Sequence, residues 1–171
     1  MSSILLRRLA RRALFTAIWL ALTLALVFGA GLRFNPTPSL PKGVYRIVPG
    51  VPEKNELVSF CLEGEFAELA LERGYLEPGS CPSGLRPLLK RLAGLPGDSV
   101  DPSAFPIRSV DSHGRFMSPA LSPVTPGVVP PGMALVLSDH PGSFDSRYFG
   151  FVPLESLQRV KPVFLFNPKG K

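Results

Sequence analysis

Ala13 to Leu32 is an uncharged run of 20 residues, and few folds can accommodate it. Its only polar members are Thr16 and Thr23. Wound as a helix, the run is about 30 Å long, the thickness of a bilayer's hydrocarbon core. Arg7, Arg8, Arg11 and Arg12 precede it, and Arg33 alone stands at its far end. Positive charge stays on the cytoplasmic side, so this asymmetry puts the N-terminus inside and the remainder outside. A cleaved secretory signal is the rival reading. Against it, the run is long for a signal's apolar stretch, and Phe28-Gly29-Ala30 is a poor cleavage site. Either way the rest of the chain is exported. The expected organisation is a basic cytoplasmic segment at 1–12, a transmembrane helix at 13–32 and a periplasmic domain at 33–171, with inner-membrane lipid as a partner.

The 171 residues suit one globular domain plus that appendage. Net charge is +6, but four of the 19 basic residues are the leading arginines and all 13 acids follow residue 33, so residues 33–171 carry 15 − 13 = +2. The remaining Lys and Arg are scattered, and nothing in the pattern calls for nucleic acid. Cys61 and Cys81 fall in the exported part, where an even count favours one disulfide closing a loop of about 20 residues. Free buried cysteines are the alternative. No Cys-x-x-Cys occurs, and His113 and His140 are distant in sequence, which argues against zinc. No metal or cofactor is implied.

Asn35 to Pro41 is a stiff tether, because Pro36, Pro38 and Pro41 forbid regular structure. Seven extended residues reach only about 20–25 Å, which keeps Ser39 near the bilayer surface. Strands are expected at Gly43–Val48, Glu56–Phe60, Pro87–Leu95, Met133–Leu137, Tyr148–Val152 and Pro162–Phe166. Glu65 to Arg73 has helical spacing and is closed by Gly74, so a disulfide would pin it as an excursion from the sheet. Leu95-Pro96-Gly97-Asp98 is a turn. Residues 101–131, rich in Pro, Ser and Gly, read as an irregular hairpin or flap. The fold expected is mainly antiparallel β, barrel-like or sandwich-like.

Two residues stand out for chemistry. Alternation in the strand at 87–95 puts Leu88, Lys90 and Leu92 on one face and Leu89, Arg91 and Ala93 on the other. A lysine facing leucines is desolvated, which lowers its pKa and makes it a base at neutral pH. Arg91 cannot deprotonate. Ser39, just beyond the membrane run and after a rigid Pro38, is the matching nucleophile. Its own N–H and the Thr37 hydroxyl are candidate oxyanion donors. If Gly142 to Pro153 is extended, Ser143, Asp145 and Arg147 share a face. Ser143 would then orient the lysine, and Asp145 and Arg147 would brace it. Each segment also has a plainer explanation: a solvated edge-strand lysine, a serine in a linker, a surface salt bridge worth under about 1 kcal/mol.

Taken together, Lys90-Arg91…Gly94-Leu95-Pro96-Gly97-Asp98 and Asp145-Ser146-Arg147-Tyr148-Phe149-Gly150-Phe151-Val152-Pro153 resemble two boxes of type I signal peptidases, in the right order after an anchor and a serine. Ser39-Leu40-Pro41-Lys42-Gly43-Val44-Tyr45 and Arg73-Gly74-Tyr75-Leu76…Gly79-Ser80-Cys81-Pro82-Ser83-Gly84 resemble the branch acting in plasmid conjugation, the TraF-type conjugal-transfer peptidases. The resemblance implies a signal-peptidase-like antiparallel β domain with a short helical excursion and a small second lobe. It also implies Ser39 as nucleophile, Lys90 as general base, Ser143 as lysine-orienting serine, Thr37 as oxyanion donor, and Asp145 with Arg147 as a structural pair. The implied substrate is an exported precursor, a pilin trimmed and in some members cyclised. Two departures stand out. Ser39-Leu40-Pro41 replaces the usual Ser-Met-x-Pro, and Ser138-Asp139-His140-Pro141-Gly142 replaces Gly-Asp-Asn-Arg.

Three rivals remain. A general type I signal peptidase would use the same dyad. A Ser-His-Asp hydrolase would draw on His113 or His140 with Asp111, Asp139 or Asp145, but no Gly-x-Ser-x-Gly elbow is present. A non-enzymatic scaffold of a conjugation or secretion channel would need neither Ser39 nor Lys90.

Overall fold

A computed structural model describes residues 3–29, 31–105, 107–108 and 124–166. The chain divides into two compact units, Met1–Leu32 and Arg33–Lys171. The first is built on α1, Ser3–Gly29, of 27 residues. No Gly or Pro occurs from Ser3 to Phe28, and Leu, Ala and Arg are strong helix formers. The helix therefore begins at Ser3 rather than at the expected residue 13 and takes in the basic segment. It stops at Gly29, and Gly31 has φ 66°. Leu32 opens a strand instead of closing the helix, which corrects the expected 13–32 span. Among the described residues, no helix is long and apolar enough to cross a membrane.

In the second unit the strands are β1 (Leu32–Asn35), β2 (Gly43–Ile47), β3 (Leu57–Phe60), β4 (Leu88–Gly94), β5 (Ser99–Val100), β6 (Gly127–Val128), β7 (Met133–Leu137), β8 (Val152–Pro153) and β9 (Gln158–Leu165). Seven form one sheet in the order β1-β2-β9-β3-β4-β7-β8, and β5 pairs with β6 separately. The β2–β9, β9–β3, β3–β4, β4–β7 and β7–β8 ladders are all antiparallel. The result is a mainly antiparallel half-barrel with few helices, the barrel-like of the two expected forms. A large part of the expected flap at 101–131, including Asp111, His113 and Arg115–Met117, lies outside the described residues.

Strand β4 decides the core. It sits inside the sheet, with Val58 opposite Lys90 on β3 and Val136 opposite Leu92 on β7. Leu88 and Leu92 join a large cluster with Val58, Phe60, Val136 and Phe149, whereas Leu89 joins Leu40, Tyr45 and Val160. Both faces of β4 are thus covered, and for that reason its sequence is apolar almost without alternation. Pro162 in β9 sits opposite Tyr45, where the β2–β9 register slips between Val44 and Tyr45. A proline has no N–H for the ladder and belongs at such an irregularity.

The expected strand at Tyr148–Val152 is not formed. Residues Ser146–Phe149 make a short helix, α3, and only Val152–Pro153 are extended. The cause is local. The Asp145 carboxylate accepts the Arg147 backbone N–H and caps the turn, and Gly150 at φ 79° ends it. Helix α2, Glu65–Glu72, forms as its spacing predicts, followed by Gly74 at φ 66°.

Cys61, at the end of β3, and Cys81, ahead of β4, are joined with Cα atoms 5.5 Å apart. The bridge closes α2 into a loop of sequence separation 20, worth about 3 kcal/mol in the chain-entropy model. Thiol labelling of the unreduced, denatured protein is expected to find no free cysteine. Reduction is expected to lower Tm by about 10 °C. Free thiols before reduction, or an unchanged Tm after it, would contradict the closed loop.

Candidate active site

The loop between β1 and β2 carries Ser39, and three contacts shape it. The buried Leu40 side chain anchors it in the cluster with Tyr45 and Leu89. The Tyr45 hydroxyl donates to the Pro41 carbonyl at 2.6 Å. Gly43 lets β2 approach β9 so closely that an added Cβ would lie 2.2 Å from the Phe164 carbonyl oxygen. Ser39 is left half-buried, with its Oγ 2.8 Å from Thr37 Oγ1. The Ser138 hydroxyl donates to the Ser39 carbonyl and ties this loop to the segment after β7.

Lys90 is only 3% exposed. The alternative of a solvated edge lysine is overturned, because β4 is an interior strand. Its Nζ donates to Ser143 Oγ at 2.9 Å. Burial is the first cause of a pKa pushed down to about 8; Asp145 opposes the shift and Arg147 adds to it. At pH 7 roughly a tenth of such lysines is neutral, against fewer than one in a thousand in water.

Asp145 is fully buried and Arg147 is 5% exposed. Arg147 Nη2 meets Asp145 Oδ2 at 2.6 Å, and its Nε donates to Oδ1 at 2.8 Å. The same guanidinium donates to the carbonyls of Ser138, His140 and Pro141. Asp145 Oδ2 also accepts the Ser138 N–H at 2.9 Å. The hydrogen bond to Asp145 raises the Arg147 pKa further, so the guanidinium stays charged. It is neither the surface ion pair nor the pair on one extended face that the sequence allowed. It is a buried brace that shapes residues 138–147 and so aims Ser143.

A cavity of about 260 Å³ collects these groups. Thr37, Ser39, Lys90 and Ser143 line it, with apolar walls from Leu76, Leu88 and Phe144 and with His140 beside them. The expected site residues Ser39, Lys90, Thr37 and Ser143 therefore share one space. Chemically, the space offers a hydroxyl, an amine with a lowered pKa and a largely apolar wall. The acids of the rival hydrolase are engaged elsewhere: Asp139 pairs with Arg91 and Asp145 with Arg147. His140 Nδ1 accepts the Gly142 N–H, as a loop residue would. Asp111 and His113 lie outside the described residues.

Sequence reasoning missed two residues here. Asn35 is 4% exposed, and its carboxamide bonds both ends of the Ser39 loop. Ser138 links two loops that are 99 residues apart. Ser138 has no spacing signal, because its partner is a carbonyl 99 residues away. Asn35 bonds residues two to six positions on, and an Asn at the head of a turn is the signal that could have marked it.

Comparison with known proteins gives a consistent answer. The sequence model described as signal peptidase, peptidase S26, matches residues 6–164. The chain is 38% identical to "Conjugal transfer protein TraF" of Agrobacterium fabrum, over 87% of this chain and 92% of that one. It is 40% identical to the protein of the same name from Agrobacterium tumefaciens, over 86% and 90%. It is 30% identical to "Plasmid transfer protein TraF" of Escherichia coli, over 93% and 97%.

Lys90 makes stability depend on pH in a defined direction. Its value is about 8 folded against 10.5 for a free side chain. Between those values the unfolded chain binds more protons, so stability rises with pH across that window. Below pH 8 the buried ammonium costs up to about 3 kcal/mol. Lys90→Met is expected to raise Tm at pH 6–7, with the gain shrinking toward pH 10; a gain independent of pH would contradict the desolvated amine. Asp145→Ala leaves a buried guanidinium unpaired and is expected to cost about 3–5 kcal/mol in urea unfolding.

Proposed function

The chain belongs to the peptidase S26 family of signal peptidases, and from that premise we propose that it is a serine endopeptidase with a Ser39/Lys90 dyad. Its substrate in this reading is an exported precursor, most specifically a conjugative pilin. The observation that carries the reading is the buried Lys90 amine, with its pKa near 8, in the wall of the cavity that Ser39 also lines. A scaffold has no use for that arrangement, which costs stability at neutral pH.

In the proposed mechanism, neutral Lys90 takes the Ser39 hydroxyl proton as Ser39 Oγ bonds to the scissile carbonyl carbon. The carbonyl oxygen becomes an oxyanion, with the Ser39 N–H and the Thr37 hydroxyl as its donors. Collapse breaks the C–N bond, and the Lys90 ammonium returns its proton to the departing amine. An ester on Ser39 remains. Water then attacks it and gives a linear acid, or the substrate's own amine attacks it and gives a ring. In either case Lys90 takes the attacking group's proton and Ser39 regains one. Ser143, bonded to Nζ, holds the amine in line throughout.

The proposed location is the inner membrane, with the cytoplasmic end at the arginines and the peptidase unit in the periplasm. What supports it is the charge pattern of the sequence, with Arg7, Arg8, Arg11 and Arg12 ahead of an uncharged run that begins at Ala13. Its Leu14, Phe15, Ile18, Trp19 and Leu20 side chains are exposed. The disulfide fits an oxidising compartment. The family description supports a second reading, removal of signal peptides from exported proteins generally. The names of the relatives from Agrobacterium favour the conjugative substrate.

Mass spectrometry of a pilin precursor co-expressed with this protein separates these readings. A trimmed linear product, or a trimmed product lighter by one water, supports pilin processing. A precursor left intact counts against it, and loss of only the N-terminal signal favours the general peptidase. Ser39→Ala, Lys90→Ala and Lys90→Arg are each expected to abolish processing, the last because a guanidinium stays charged. The wild-type rate is expected to rise with pH through a midpoint near 8 as Lys90 loses its proton. Processing by the Ser39 or Lys90 variants would sink the dyad.

A further inference from the structure

The least expected group near Ser39 is Asn35, a buried carboxamide at the head of a proline-rich loop. Its Nδ2 donates to the carbonyls of Thr37 at 3.1 Å, Leu40 at 3.0 Å and Pro41 at 3.3 Å. Three carbonyls around one atom identify it as the amide nitrogen, so the opposite atom is the oxygen. That oxygen, Oδ1, accepts the Thr37 N–H at 3.3 Å and the Thr37 hydroxyl at 2.9 Å.

A hydroxyl has one proton. Thr37 spends its proton on Asn35 Oδ1, which as a carbonyl oxygen can only accept. Thr37 Oγ1 lies 2.8 Å from Ser39 Oγ, and with its own proton committed it can only be the acceptor there. The Ser39 proton therefore points at Thr37 in the resting enzyme. Lys90 Nζ meanwhile donates to Ser143.

We propose that Asn35 is a positioning residue that sets the direction of two hydroxyl protons, resting the Ser39 proton on Thr37 until a substrate carbonyl arrives. The proposal rests on Ser39 being the nucleophile. As negative charge builds on the substrate oxygen, the Thr37 hydroxyl turns from Asn35 Oδ1 to that oxygen and keeps its own proton. Thr37 Oγ1 then ceases to hold the Ser39 proton, which passes to neutral Lys90. The Asn35 amide keeps the loop closed through the Leu40 and Pro41 carbonyls while Thr37 swings. One carboxamide thus couples loop geometry to the readiness of both oxygen groups.

The test uses the full-length protein in detergent and p-nitrophenyl acetate as an acylating probe. Ser39 Oγ bonds to the acetyl carbon, the ester C–O bond breaks, p-nitrophenolate leaves with the electron pair, and Lys90 takes the serine proton. The burst of p-nitrophenolate is followed against pH for wild type, Asn35→Ala, Thr37→Val and the double variant. Each single change is expected to slow the burst by about 10- to 100-fold. The double variant is expected to be little slower than the worse single one, because Asn35 acts through the Thr37 hydroxyl. The pH midpoint is expected to stay near 8 in all of them, since Lys90 keeps its surroundings; a general loosening of the site would hydrate Lys90 and move the midpoint up.

Effects that multiply, or an Asn35→Ala burst equal to wild type, overturn the role of Asn35. Should Asn35→Ala not fold, Asn35→Leu, which has similar volume and no acceptor, replaces it in the cycle, with the same non-additivity expected. Ser39→Ala is run alongside. If it still gives the burst, the nucleophile assignment fails. If it is silent while the cycle is additive, only the Asn35 proposal fails.

Discussion

The ion pair between Asp145 and Arg147 is the constraint on which the rest of the site depends. Desolvating two charges is expensive, so a buried pair adds little net stability compared with an apolar replacement. Its value lies in what the two side chains also hold. Between them they engage the carbonyls of Ser138, His140 and Pro141 and the N–H groups of Ser138 and Arg147. A loop with no regular structure thereby acquires one shape. Ser143 stands in that loop and meets Lys90. Ser138 stands at its start and meets the Ser39 loop.

Lys90 is held between opposing demands. Phe60, Leu88, Leu92 and their neighbours make the interior that stabilises the sheet, and an ammonium within it works against that stability. The chain tolerates this because Ser143 takes one hydrogen bond and the Asp145 carboxylate contributes a favourable field. The same desolvation that weakens the fold makes the amine a competent base near neutral pH. Fold and proposed chemistry thus depend on one property of β4, its coverage on both faces.

Much of the sheet was legible. Apolar runs bounded by turn residues marked β2, β3, β4 and β7 to within a residue or two, and helical spacing with a closing Gly74 marked α2. The pairing of Cys61 with Cys81 followed from compartment and count. Errors came where a local hydrogen bond outweighed pattern. Tyr148–Val152 has the aromatic and β-branched content of a strand, yet the Asp145 cap turns its first half into a helix. The break at Gly29 to Gly31 similarly cut short a run that looked uniform.

Legible along the chain were the class of fold and the chemistry on offer: an apolar N-terminal stretch, an antiparallel β domain, a serine after a proline and a lysine among leucines. These are local properties, readable from neighbours along the chain. Folding alone put β4 inside the sheet, buried Asp145 and Arg147, and brought the Ser138 hydroxyl to the Ser39 carbonyl 99 residues away. Burial and long-range hydrogen bonds arise between residues far apart in sequence. A lysine's desolvation and a hydroxyl's direction therefore had no value until the sheet had closed around them.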